Sequence, residues 1–144
     1  MNEELGMIFL KGDGDYRSKL GLSEKRALPY LGSWDADRQV LTVVQFSMPE
    51  TAPHGYTNNL WEFQEHPYAG DVINGYNDGP NESGEKFGGF YELETVSPAY
   101  ALAPGESRTH VQRIMRIEGD RERLDAVCQS VFGVTLDQVE SQLT

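Results

Sequence analysis

The sequence predicts a mainly β fold, an antiparallel β-sandwich with a C-terminal helical pair. Three observations carry this. Several short segments alternate apolar and polar residues with a period of two, as half-buried strands do. They are separated by turn-rich stretches, in keeping with 15 glycines in 144 residues. The last stretch instead repeats its apolar residues at helical spacing. A chain of this length forms one domain with a real core. Residues 1-118 are assigned to the sandwich and 119-144 to a helical appendage of the same domain.

Taken in order, Gly6–Lys11 (GMIFLK) reads as a short first strand. The segment from Gly12 to Asp37 is rich in turn residues and reads as an irregular surface excursion. Arg38–Met48 (RQVLTVVQFSM) is the strongest strand. Val40, Thr42, Val44 and Phe46 share one face, and Leu41, Val43 and Gln45 share the other, so it is expected at the centre of a sheet. Asn58–His66 alternates, and Gly70–Asp78 is a further strand candidate; Gly79–Lys86 has the composition of a mobile loop.

Phe90–Asp120 reads as strand, tight turn, strand. Tyr91, Leu93 and Thr95 point one way, and Phe90, Glu92 and Glu94 the other. Pro104-Gly105 has the signature of a type II turn, and the following segment alternates Val111, Arg113, Met115 and Ile117 against His110, Gln112, Ile114 and Arg116. At the end, Asp120 caps a helix whose stripe is Leu124, Val127, Cys128 and Val131, stopped by Gly133. Thr135 and Gln138 fit a capping box, with Val134 and Val139 as its hydrophobic staple.

Charge narrows the function. The formal net charge is -11, from 23 acidic and 12 basic residues. Such a field repels phosphate backbones and anionic lipid, so nucleic acid and membrane are not expected as partners. The chain has no apolar run near the length of a membrane span. No signal peptide opens it, which makes the cytoplasm the default location, or the periplasm if the chain is a piece of a longer protein. The lone Cys128 excludes an intrachain disulfide and a cysteine-based zinc site. Asp13-Gly14-Asp15 has the spacing that begins a calcium loop, but the closing glutamate is missing and an ordinary turn is the reading. His54, His66 and His110 have no ligand spacing, and the nucleotide and serine-hydrolase loop motifs are absent, so no metal or cofactor is expected.

The candidate site lies on the Phe90–Asp120 stretch. Glu92 and Glu94, two residues apart, project from one strand face roughly 6.5–7 Å from each other. So placed, carboxylates can hydrogen-bond sugar hydroxyls or raise one another's pKa for acid–base work. His110 opens the strand beyond the turn and, on a hairpin, would meet that face as a catalytic partner. The competing reading is a solvated sheet face. Gln112 can add hydroxyl hydrogen bonds. Trp61 and Tyr76 offer rings to stack on a sugar, with Glu62 and Asp78 taking hydroxyls, although aromatic residues at strand spacing also serve cores. Arg113 sits on the apolar face, where a guanidinium needs a partner: a carboxylate of the fold or, failing that, the carboxylate of a bound uronate.

The segments KGDGDYRSKLG, LTVVQFSMPE, LWEFQEHPYAGDVINGYNDGP and YELETVSPAYALAPGES, with the Thr109-His110 and Arg113 that follow, resemble the C-terminal half of bacterial proteins of the DUF6786 type, of unknown function. The resemblance spans nearly the whole chain and implies half of a galactose mutarotase-like supersandwich, a fold whose concave face binds sugars. It implies a carbohydrate-related protein, binding a sugar or isomerising it as a mutarotase or epimerase does. The alternative is a non-catalytic interaction or structural domain that has lost the site. Relatives tend to carry a second histidine two residues after the first, where this chain has Gln112. Relatives are also longer, and a chain lacking their N-terminal half bares strand edges, from which a homodimer is expected.

Overall fold

The computed structural model describes residues 1–60 and 62–142. It is mainly β, with two three-stranded antiparallel sheets and two C-terminal helices. The first sheet joins β1 (Ser18–Leu22), β4 (Ile73–Asn77) and β5 (Tyr91–Thr95) in the order β1-β4-β5. The second joins β2 (Tyr30–Asp35), β3 (Val40–Phe46) and β6 (Gln112–Glu118) in the order β2-β3-β6. Helix α1 (Arg121–Phe132) and helix α2 (Leu136–Ser141) follow.

β3 is central, as its two apolar faces predict. Leu41 and Val43 enter one cluster with Leu124 and Cys128 of α1, Val134, and Leu136 of α2. On the opposite face Phe46 packs with Ile73, Val72, Tyr56 and Ala27. The partly buried Leu22 of β1 and Leu31 of β2 complete this second cluster, which is where the two sheets meet. The layers therefore run sheet, sheet, helices, a small β-sandwich-like fold whose first sheet keeps its outer face open. Tyr91 and Ser33 also link the sheets, their hydroxyls 2.9 Å apart.

The helical end forms where the caps place it. Asp120 accepts from the Arg123 N–H, Gly133 adopts φ 75, and Thr135 and Gln138 form both halves of the capping box. Arg121 closes the helices on each other through Asp137 and Glu140, and Glu140 also accepts from the Trp34 indole at 2.8 Å. These donors hold the Glu140 carboxyl below its usual pKa, the Arg121 bonds first and the Trp34 bond next.

Three expectations are corrected. Gly6–Lys11 is not a strand. Asn2 and Met7 form an isolated bridge, with Gly6 at φ 62, and Leu5 and Met7 pack against the helical cluster instead of pairing. The supposed excursion from Gly12 to Asp37 holds both β1 and β2. Nor is there a strand among the described residues of 58–66, where the Gln64 amide turns back on the Leu60 carbonyl at 2.8 Å and Phe63 lies fully exposed.

The fourth difference matters most for function. The type II turn forms, with Gly105 at φ 88 and the Glu106 N–H on the Ala103 carbonyl at 3.0 Å. The strands flanking it do not form a hairpin: β5 pairs with β4, and β6 with β3.

Candidate functional site

The open outer face of the first sheet is a small grid set by strand register. Lys19, Tyr76 and Glu92 lie side by side across β1, β4 and β5. The next row along is Gly21, Asn74 and Glu94. Residues directly opposite in antiparallel strands share a face, so all six positions present to the same side. The face is almost wholly polar.

Its groups are partly paired. Lys19 Nζ reaches Glu94 Oε2 at 3.2 Å, crossing diagonally over β4. Tyr76 donates its hydroxyl to Asp78 Oδ1 at 3.2 Å and tilts its ring against Phe90, with centroids 5.9 Å apart. Asp71 lies over Gly21, where a side chain would collide with its carboxylate. Opposite Glu94 on β4, Asn74 is only 4% exposed and its Nδ2 has no hydrogen-bond partner. A buried amide donor without a partner is costly, and such groups mark places completed by something else.

Glu94, as an acceptor for the protonated Glu92 carboxyl, raises the Glu92 pKa; partial burial and the Glu94 charge push the same way, against Lys19. A carboxyl whose folded pKa is raised contributes stability below its unfolded pKa and loses it as pH rises through the folded value. At neutral pH the pair therefore repels. Glu92→Gln is expected to raise Tm at pH 7 by about 1–3 °C and to have the opposite or no effect at pH 4. Thermal unfolding at the two pH values checks this, and a drop at pH 7 would count against repulsion between the two carboxylates.

One end of the grid is anchored by a buried carboxylate. Asp78 is fully buried. Its Oδ2 accepts the N–H groups of Gly88 and Gly89 at 2.8 and 2.9 Å, while Arg17 Nη2 stands 3.6 Å from Oδ1. Arg17 also lies over the Phe87 ring at 4.3 Å. Next to it, Asn77 is likewise fully buried, accepting from the Gly14 N–H and donating to the Tyr16 carbonyl. Gly79 packs so closely on the Tyr16–Arg17 backbone that a Cβ would sit 1.9 Å from the Tyr16 carbonyl carbon. Asp78 thus ties the 79–89 loop and the segment before β1 to the sheet. Its role is to position the face.

The structure brings Glu92, Glu94, Tyr76 and Asp78 together and separates His110, Gln112 and Arg113 from them. Thr95 follows Glu94 in β5 and projects from the opposite face. Its hydroxyl donates to Gln112 Oε1 and, with its one proton so used, accepts from His110 Nε2 at 3.0 Å. The His110 ring lies 6.1 Å from that of Phe46. His110 and Gln112 are therefore a link between β5 and β6 on the inner side, and the expected meeting with the glutamates fails because β5 and β6 are not a hairpin. Arg113 is exposed and contacts Gln45 Oε1 at 3.4 Å, so the expected carboxylate partner is replaced by an amide. Glu62 is exposed in a loop. Trp61 lies outside the described residues.

Asp13 accepts from the Asp15 N–H and from Asn77, an ordinary turn tied to the sheet. No group of acidic, histidine or cysteine residues fit to hold a metal ion occurs among the described residues. Asn74 and Asn77 are the members of the arrangement that sequence reasoning passed over. Their signal was two asparagines inside a strand segment, where side-chain amides are unusual.

Two clefts among the described residues are lined by none of these side chains. One runs between Thr51, His54, Tyr100, Leu102, Glu106 and Arg108, and a shallower one borders Pro67 and Tyr68. No described helix is long and apolar enough to cross a membrane. No curated protein and no solved structure matches the chain. A family model does: the family of unknown function DUF6786 matches residues 1–143, and the chain belongs to that family.

Proposed function

We propose that the chain is a carbohydrate-binding protein that takes a sugar on the outer face of the β1-β4-β5 sheet. The observation that carries the reading is the unpartnered Asn74 amide on the strand next to Glu94, in the row beside Glu92, Lys19 and Tyr76. Sugar recognition needs acceptors and donors alternating at about the spacing of vicinal hydroxyls, and this face offers carboxylate, amide and ammonium within two rows. Two glutamates and a single lysine favour a neutral sugar over a uronate, since Arg17 is committed to Asp78. The acidic chain disfavours phosphorylated sugars.

Binding without rapid isomerisation is the expected behaviour. A mutarotase-like exchange needs an acid and a base on opposite sides of one ring, and His110 is hydrogen-bonded on the far side of β5. The same protein is proposed to form a homodimer through bare sheet edges.

Titration of neutral hexoses and uronates, followed by NMR, tests the reading. Weak, millimolar binding of a neutral sugar should shift the Asn74 side-chain amide and Tyr76, and Glu94→Gln should weaken it about tenfold. His110→Ala should leave it unchanged. Absence of shifts with every sugar would sink the proposal and favour an interaction domain that keeps the fold only.

A further inference from the structure

Building on the homodimer just proposed, we infer that β6 is its interface, adding the β6 of a second copy antiparallel to itself with Ile114 on the twofold axis. β6 ends its sheet and pairs with β3 on one side only. It is exposed on both faces: Ile114 is 58%, Met115 41% and the preceding Val111 44% accessible. The other sheet edges are guarded. β1 carries Lys19 and the Asp71-covered Gly21, β5 carries Glu92 and Glu94, and β2 has its Trp34 held by Glu140. β6 carries Arg113, Arg116 and Glu118, so charge alone does not set it apart; its exposed aliphatic side chains on both faces do, since no exposed aliphatic residue lies on β1, β2 or β5.

Backbone phase allows the addition. The Ser47 N–H donates to the Val111 carbonyl at 2.8 Å, which extends the β3–β6 ladder by one residue. Hydrogen-bonding direction alternates along an antiparallel strand. Val111, Arg113, Met115 and Ile117 therefore turn their backbone groups toward β3. Gln112, Ile114, Arg116 and Glu118 turn theirs outward, free for a partner strand.

Charge then selects the register. A twofold between antiparallel strands must place one residue opposite its own copy. Centring on Arg113 or Arg116 sets arginine against arginine, which is unfavourable. Centring on Met115 sets Ile114 against Arg116 and Arg113 against Ile117. Centring on Ile114 sets isoleucine against isoleucine, Val111 against Ile117, Gln112 against Arg116 and His110 against Glu118. Arg113 then lies opposite Met115, along whose side chain its aliphatic stem can pack. Centring on Ile117 would set Arg116 against Glu118 but overlaps only residues 116–118 of the strand. The Ile114 register is thus the one that matches apolar with apolar along β6 while offering each arginine a neutral neighbour.

Light scattering at tens of micromolar is expected to give a dimer that Ile114→Lys converts to a monomer with an unchanged circular dichroism spectrum. Under mild oxidation Ile114→Cys should cross-link to its copy, because directly opposed Cα atoms lie about 5.5 Å apart, within disulfide reach. Met115→Cys should not. Cys128 is buried and leaves the background clean. A monomeric wild type would overturn the homodimer itself. A dimer that survives Ile114→Lys, or one cross-linked through Met115→Cys in preference, would overturn this interface while leaving a homodimer standing.

Discussion

Leu124→Ala should cost about 3–5 kcal/mol of stability and lower Tm by about 10 °C. Leu124 has no exposed surface and packs with Leu41 and Val43 of β3, Cys128, Val134 and Leu136. Helices on one side and a strand ladder on the other cannot easily close over a missing isobutyl group, so the cavity persists and its cost adds to the lost transfer energy. For a domain whose whole margin is about 5–15 kcal/mol, that is a large share. Urea unfolding measures it, with Leu60→Ala as the surface comparison, since Leu60 is 60% exposed and should change by less than about 0.5 kcal/mol. A Leu124→Ala cost under about 1 kcal/mol would mean that the helical pair is not part of the cooperative core.

The contrast between these two leucines shows what the sequence could and could not convey. Leu124 stands in a stripe with Val127, Cys128 and Val131, fenced by Asp120 and Gly133, so local periodicity and capping chemistry determine both the helix and its buried side. β3 was legible for the same reason: β-branched residues on both faces require cover on both faces. Leu60 also belongs to an alternating run, yet alternation describes a strand only if a neighbour pairs with it, and none among the described residues does. Strand pairing is a long-range property. The turn at Pro104-Gly105 is a local signal and forms, but it says nothing about which sheets the flanking strands join. From that one gap followed the misplacing of His110, while Glu92 and Glu94, whose neighbourhood depends on the face of one strand, fell together; Tyr76 joins them through the pairing of β4 with β5. Asp78 was read as an acceptor for sugar hydroxyls and its anchoring role was not legible: Asn77-Asp78-Gly79 has turn composition, and only the Gly88 and Gly89 amides folding back upon it reveal a buried anchor.

Asp78→Asn should lower Tm at pH 7 by about 5–10 °C and release the 79–89 loop. The carboxylate is held from four directions: it accepts the Gly88 and Gly89 N–H groups on one oxygen and the Tyr76 hydroxyl on the other, and that second oxygen also faces the Arg17 guanidinium at 3.6 Å. An amide in its place brings its own N–H donors against donors, whichever way it is turned, and leaves Arg17 with the Phe87 ring but no anion. Burial pushes the Asp78 pKa up, yet the two N–H groups, the hydroxyl and Arg17 together outweigh it and hold the pKa below the usual value. A carboxyl lowered in this way contributes stability above its unfolded pKa of about 3.9, and the contribution disappears as pH falls through the folded value. The deficit of Asp78→Asn should therefore be full at pH 6–7 and shrink as the medium is taken below about pH 3. Asp13, Asp35 and Glu140, whose pKa values are also lowered, are present in both proteins and cancel in the comparison. Thermal unfolding across that range, together with hydrogen exchange at Gly88 and Gly89, reads both effects. An equal deficit at every pH, or glycine amides that stay protected in the variant, would show that the loop is held by something other than this carboxylate.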